Sequence, residues 1–473
     1  MRRAEAFCKA EFVSSARASR GDTIRAGHGL LHTGAHRRGR SLGMDLRQAH
    51  ALNRFGLGRR GEEPIPDNPE SWLLGQLTRP DPVAMDPPAT SANGVTALRE
   101  DRKNRPAPGE SRARALFRAQ ANSTLVHAAR TTAPYRERLV WFWTNHFTIS
   151  LRRAQCAGVA AAYVEEAIRP HVTGPFEDMV LAVMRHPCML IYLDNINSVG
   201  PDSQASRSGR RGLNENLARE CLELHTVSPA AGYTQADVTA LARILTGWSV
   251  MFDGEQPGFR FMPAAHQPGQ HTVMGQTFPP GEPGGIAALR FLARHPSTHR
   301  FLATKLVRHF VHDNPPPEAV RQIEGALRDT KGDLGAASRA LVGLEAAWQT
   351  PGAKLRTPQD LFIAALRAVG APADPPPDLV RPLSALGQPL WSAAAPDGWP
   401  DVATTWATPE MMMRRVDWCY AFAGRLGLRD PMRLAETTLG PLLRPETRDT
   451  VARAGSRADA VTLLLTSPEF QRR

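Results

Sequence analysis

No stretch of this 473-residue chain approaches the roughly 18 uncharged apolar residues that a bilayer-spanning helix needs. The longest apolar pieces, around 139–147 and 179–193, are broken by Asn, His, Arg or Pro, so no membrane span is expected. Cysteine is equally sparse. Cys8, Cys156, Cys188, Cys221 and Cys419 are odd in number, widely spaced and form no CxxC pair, which argues against a disulfide framework or a thiolate zinc site. Three of them sit among apolar neighbours and read as small buried hydrophobes. The chain has no HExxH, no Glu-x-x-His pair of the di-iron bundle type, no P-loop or dinucleotide-binding glycine pattern and no Ser-centred elbow. The first 43 residues lack the apolar core of a secretory signal, and Arg2-Arg3 has no hydrophobic stretch behind it. A cytoplasmic location is expected, with export alongside a partner left open.

The formal net charge of +12 is unevenly placed. Residues 1–43 hold nine Arg/Lys against Glu5, Glu11 and Asp22, and so account for half of it. This tail has no periodic apolar face to bury, so it is expected to be a disordered and dispensable basic extension. Met44 begins a better-patterned segment and is the expected biological start. A second basic cluster, 99–118, is polar and interrupted by Pro and Gly; without interleaved aromatics, neither cluster suggests a nucleic-acid partner.

From Met44 onward the period is helical. Apolar residues recur at i, i+3 and i+4 over 46–54, 113–129, 134–150, 158–169, 176–184, 213–224, 235–246, 298–311, 317–327, 357–368 and 409–426. The fold class is therefore mainly α, one large multi-helix globular core over 44–473. A Gly/Pro-rich insert at about 249–285 is the one place for a short β-hairpin. Residues 370–408, rich in Pro, Ala and Trp, read as a long ordered loop or a hinge. Thr234–Asp237 has the form of a capping box closed by Gly247, and His186-Pro187 and His295-Pro296 each place Pro at the first position of a helix.

The segment 212–226 carries most of the chemistry. At about 100° per residue, Leu213, Leu217, Cys221 and Leu224 form one stripe, with Glu220 only about 20° from Leu213 and with Asn216 and Glu223 just beyond. A carboxylate so near a core needs an ion pair, a hydrogen bond or a metal.

Several ordered phrases coincide with this helix: Ala51-Leu-Asn-Arg-Phe-Gly-Leu-Gly58, Leu139-Val-Trp-Phe-Trp-Thr-Asn-His-Phe147, Ala167-Ile-Arg-Pro170, Arg185-His-Pro-Cys-Met-Leu-Ile-Tyr-Leu-Asp-Asn195, Leu213-Asn-Glu-Asn-Leu-Ala-Arg-Glu220, Leu245-Thr-Gly-Trp248 and Lys354-Leu-Arg-Thr-Pro358. In this order the chain resembles the bacterial domain-of-unknown-function 1800 family, from about Met44 to about Trp418. The resemblance implies a mostly helical protein without an established reaction. It also implies a gene neighbourhood shared with a sulfatase-like protein of the domain-of-unknown-function 1501 family, which makes that protein a candidate partner. Where the family usually shows His-Asp followed by Lys, this chain has His266-Gln267 and then His271.

Each candidate residue has two readings. His146 lies on the stripe of Leu139, Phe142 and Trp143, as a satisfied core histidine or as a catalytic group. Asp194 follows an apolar helical run, where the dipole disfavours it, so it either pairs with Arg219 or Arg169 or ligates a cation. Glu220, His146 and Asp194 are the candidate catalytic set; with Glu223 they are also the candidate ligands of a divalent metal. The alternative is a buried Glu–Arg/Asn network. Asn216, Lys305, His309 and His266 are candidate substrate-binding residues. Lys305, Arg308, His309 and His312 share one helix face, solvated or anion-binding. The function classes left open are a hydrolase-like or metal-assisted enzyme on an anionic or saccharide-like substrate, and a non-catalytic partner or assembly factor.

Overall fold

Helical periodicity becomes helix almost everywhere it was expected in this computed structural model. The described residues are 43–473, apart from 80–84, 86–87, 108, 209–210, 255–256, 372–377 and 428. The expectation for the 1–43 tail falls outside them, save for Gly43. Met44–Arg473 forms one compact unit, and among its described residues no helix is long and apolar enough to cross a membrane.

Local signals set the helix boundaries. The side chain of Thr234 caps Gln235–Leu245 through the Asp237 amide and Asp237 reaches back, as the capping box requires. Gly247, at φ 82°, then turns the chain into the first strand. Pro187 and Pro296 open helices Pro187–Tyr192 and Pro296–Phe310, and in both cases the preceding histidine is the cap. His186 Nδ1 accepts the Cys188 N–H at 3.1 Å and His295 Nδ1 accepts the Ser297 N–H at 3.2 Å. A His-Pro pair thus supplies both the acceptor and the preset φ of a helix start.

The Gly/Pro-rich insert holds two hairpins rather than one. Trp248–Met251 pairs antiparallel with Gly258–Phe261, and His271–Val273 with Gln276–Phe278. The Pro-rich stretch contains two short helices, Val380–Ala385 and Ala403–Trp406, with ordered loop between Ala385 and Ala403.

The main core stacks aromatic side chains contributed from distant parts of the sequence. Phe55 packs on Tyr135 and Phe310 with ring centroids 5.6 and 5.9 Å apart, and Phe176 sits 5.6 Å from Trp143 and 5.9 Å from Phe147. A second, smaller core gathers Leu361, Cys419, Leu439, Leu464 and Phe470. Helix Pro358–Ala368 lies between the two cores and is buried on every side. Its one interior cation, Arg367, survives there because its guanidinium donates to the carbonyls of Gly58, Ala129 and Thr131 at 2.7–3.2 Å. Helix Ser91–Asn104 crosses the 154–158 turn at two glycines, where a Cβ on Gly94 would come within 2.1 Å of the Gly158 carbonyl oxygen.

The two ends of the described chain are tied together by arginines. Arg54 donates to the carbonyls of Phe310, Val311 and Thr350, and Arg356 to Asn53 Oδ1 at 2.6 Å. Arg473 reaches the Arg54 carbonyl at 3.5 Å and pairs with Asp360 at 3.1 Å.

Candidate functional site

The 212–226 segment departs from a regular helix, and this reshapes the site. The α-helix covers only Asn216–Glu220, and Cys221–His225 continue as a π turn. A π turn adds a residue per turn, so the wheel drawn at 100° per residue fails beyond Glu220. Leu217 and Cys221 are buried as expected, but Leu213 precedes the helix and is only half-buried, as is Leu224. The carboxylate of Glu220 consequently lies at the edge of the core, half-buried, and makes no hydrogen bond or ion pair among the described residues. The adjacent arginine is engaged elsewhere: Arg219 bonds Glu215 at 2.9 Å and Gln235 at 3.0 Å. Burial first and then the like charge of Glu223 push the Glu220 carboxyl above its ordinary range; Arg219 pulls it back, and Asp397 adds a smaller push.

Asp397 is a weak charge common to three groups. It interacts with Glu220 from the π turn, with Tyr192 at the end of Pro187–Tyr192 and with Lys305 on Pro296–Phe310. The loop carrying it is clamped to the end of helix Pro134–His146. Asn145 exchanges two hydrogen bonds with the Trp399 backbone, both at 2.8 Å. Gly398, at φ 84°, permits this contact, because a Cβ there would meet the Asn145 carbonyl oxygen at 2.5 Å. Burial, helped by Cys156, Glu220 and Asp397, raises the Tyr192 phenol to about 12, so it remains a proton donor.

Lys305 faces the same space. Burial lowers its ammonium to about 8, with Arg308 adding to the effect and Asp401 and Asp397 opposing it. Its Nζ sits 5.4 Å above the Phe301 ring. One turn on, His309 Nδ1 donates to Asp401 Oδ2 at 2.6 Å. Burial holds the His309 imidazole at about 4 despite that carboxylate. Asp401 is also bonded by Lys354, whose Nζ donates to the Asp401 carbonyl at 2.8 Å and pairs with Asp313. The cationic face expected to be solvated is therefore half-buried at Lys305 and His309, against the Pro-rich loop.

Other expected site residues lie elsewhere. Asp194 is in the left-handed region, at φ 60°, which turns it out of the helix end. It pairs with Arg153 at 2.5 Å and accepts from Asn197 at 2.8 Å, so neither Arg219 nor Arg169 is its partner; Arg169 serves Glu137 and Glu165. His146, 1% exposed, donates from Nε2 to the His225 carbonyl at 3.1 Å. Burial, then Lys305 and His225, hold it well below 6.5. It reaches the site only through Lys305. Asn216 is exposed, with its amide held by Asn214. His266 is fully used inside the insert, its Nδ1 donating to the Thr246 carbonyl at 2.9 Å and its Nε2 accepting from Gly281 at 2.7 Å. Gln267 likewise ties Asp202 to the insert. Glu223 stays near Glu220 but faces Tyr233. The four expected metal ligands are thus not brought together, and among the described residues no three His, Cys, Asp or Glu side chains gather to hold a metal. Two surface depressions, of about 580 and 540 Å³, lie beside Arg99–Lys103 and beside Asp194, and neither contains the Glu220–Asp397–Lys305 group.

Sequence reasoning missed Asp397, Asp401 and Tyr192. The available signal was two aspartates four apart in a Trp/Pro-flanked loop, Asp397-Gly-Trp-Pro-Asp401.

Comparison with known proteins gives one match. A family model described as "Protein of unknown function (DUF1800)" matches residues 50–472. No curated protein and no solved structure matches the chain.

Proposed function

Because the chain belongs to the DUF1800 family, whose description names no activity, we propose a function from the site itself: general acid–base catalysis of hydrolase type on a saccharide-like or anionic substrate. The observation that carries it is that Glu220, Tyr192 and Lys305, on three separate helices, all feel the charge of Asp397, with the Glu220 carboxyl raised and the Lys305 amine lowered. Groups displaced toward neutrality in opposite directions are what proton transfer near pH 7 requires. Glu220, protonated, would give its proton to the leaving group. Asp397, exposed, would activate water or stabilise positive charge. Lys305, with Arg308 beside it, would hold an anionic substituent.

Glu220→Gln and Asp397→Asn should each lower kcat/KM by about 10²- to 10⁴-fold on a substrate found in a panel of glycosides and sulfated or carboxylated sugars. Their melting temperatures should stay close to the wild-type value, because neither carboxylate makes a hydrogen bond or ion pair among the described residues. Full activity in both variants, or a wild type inert toward the whole panel, would remove the acid–base assignment.

A second reading, a binding partner of the sulfatase-like neighbour, is favoured by one feature. Helix Pro409–Ala423 exposes Met413, Val416 and Tyr420 by 59%, 38% and 61%, spaced as one stripe. Met413→Glu with Tyr420→Glu should abolish co-purification with that neighbour and leave the melting temperature unchanged. Retained co-purification, or none with the wild type, counts against it.

A further inference from the structure

Lysine is rare in this chain: only five of its 58 Lys and Arg residues are lysine. Arginine stays protonated in proteins, whereas a lysine can present a neutral amine. Lys103 and Lys331 are exposed, Lys354 is buried and held in ion pairs with Asp313 and Asp401, and Lys9 lies outside the described residues. Lys305 differs from all of these. It is half-buried yet reachable, and its ammonium has only the Phe301 ring against it, with no hydrogen bond or ion pair among the described residues.

The groups around Lys305 come from four directions. His146 ends one helix, His225 ends the π turn, Asp397 and Asp401 come from the Pro-rich loop, and Arg308 lies one turn along the same helix. Both imidazoles are neutral near pH 7, and His146 Nδ1 and both ring nitrogens of His225 are buried without a hydrogen-bond partner among the described residues. Asp401 is committed to His309. Arg308 is half-buried and also has no carboxylate in ion-pair range among the described residues.

We propose that Lys305 is a carbonyl-reactive amine that condenses with an α-oxo acid, whose carboxylate is held by Arg308. Residues three apart on a helix have Cβ atoms about 5–6 Å apart, a spacing suited to a carbonyl and its adjacent carboxylate. The fork of Arg308 matches a carboxylate with two parallel hydrogen bonds. In the step itself, the Lys305 nitrogen lone pair forms a C–N bond to the carbonyl carbon as the C=O π bond breaks, and a proton passes from that nitrogen to the oxygen to give a carbinolamine. A proton from solvent then converts that hydroxyl to water as the C–O bond breaks, which leaves a protonated imine. The overall change is amine plus carbonyl plus one proton to iminium plus water, with no oxidant or reductant. The lowered ammonium supplies the free amine at neutral pH. This chemistry goes beyond hydrolysis and does not depend on it.

The test is reductive trapping on the full chain. The protein is incubated with glyoxylate and cyanoborohydride at about pH 7.5, and the peptides carrying each lysine are followed by mass spectrometry. Lys305 should gain the carboxymethyl adduct about tenfold or more faster than exposed Lys103 and Lys331 in the same molecule. Arg308→Met should slow labelling of Lys305 alone, and Lys305→Arg should remove that adduct and leave the others. Labelling of Lys305 no faster than that of Lys103 and Lys331 overturns the proposal, and this ratio is read on the wild type whether or not the variants fold. Failure of the Glu220→Gln hydrolysis test would leave this result unaffected.

Discussion

Lowering the pH from 7.5 to 5 should unfold this protein before its carboxylates begin to protonate. Burial holds His50 at about 4, His225 at about 3 and His309 at about 4, and keeps His146 well below 6.5. An imidazole whose folded pKa is depressed contributes stability that is complete above the unfolded value of 6.5 and is lost as pH falls toward the folded value, because only the unfolded chain takes up the proton. Between pH 6.5 and pH 5 such a displacement contributes about 2 kcal/mol per site. For the four sites the sum by pH 5 is on the order of 6–8 kcal/mol, comparable with the whole stability of an ordinary domain. Glu220, raised, works weakly in the opposite direction. The depressed carboxyls of Glu137, Asp360 and Asp401 act only in a lower window, below the unfolded carboxylate value near 4. Urea midpoints measured at half-unit pH steps should fall steeply below pH 6.5, with a slope equivalent to net uptake of about three protons on unfolding. A midpoint that stays level down to pH 5 would show that these imidazoles are not held neutral.

Asp360→Asn should be the most destabilising isosteric change in the chain, at about 3–5 kcal/mol. Asp360 is 4% exposed and receives Arg138 at 2.9 Å and Arg473 at 3.1 Å, both from buried side chains. Arg138 retains two bonds to the Gly56 carbonyl, but its charge and that of Arg473 lose their shared counter-ion. The surface pair Asp449–Arg453 is the control, and Asp449→Asn should change stability by about 0.5 kcal/mol or less. Equal urea midpoints for the two variants would mean that water, not the carboxylate, compensates the buried arginines.

Fold class was readable from the sequence because the i, i+3, i+4 apolar period and the local caps act over a few residues. The Thr234–Asp237 box and the two His-Pro pairs are cases of this kind. The π turns at Ala51–Phe55, Val164–Ile168 and Cys221–His225 were not readable, since a local change of pitch leaves no mark in the apolar period. That is why Glu220 was found but its surroundings were not. Asp397 and Asp401 lie in a stretch with no period at all, and their roles depend on a loop docking against a helix some 250 residues earlier in the chain (Asn145 to Trp399 spans 254 residues). The pairing of Arg138 with Asp360, 222 residues apart, is likewise a tertiary fact that composition cannot announce.

The arginine tie between the chain ends bears on biosynthesis. Arg473 bonds the carbonyl of a residue made 419 positions earlier. At ordinary synthesis rates, the segment around Asn53 and Arg54 waits roughly 20–80 s on the ribosome before that partner exists. Phe55 can be covered earlier, by Tyr135, Phe310 and Trp348, whereas the small cluster of Met44, Ala49 and Leu52 also waits for Leu442. That one tie can therefore form only once residue 473 has been made.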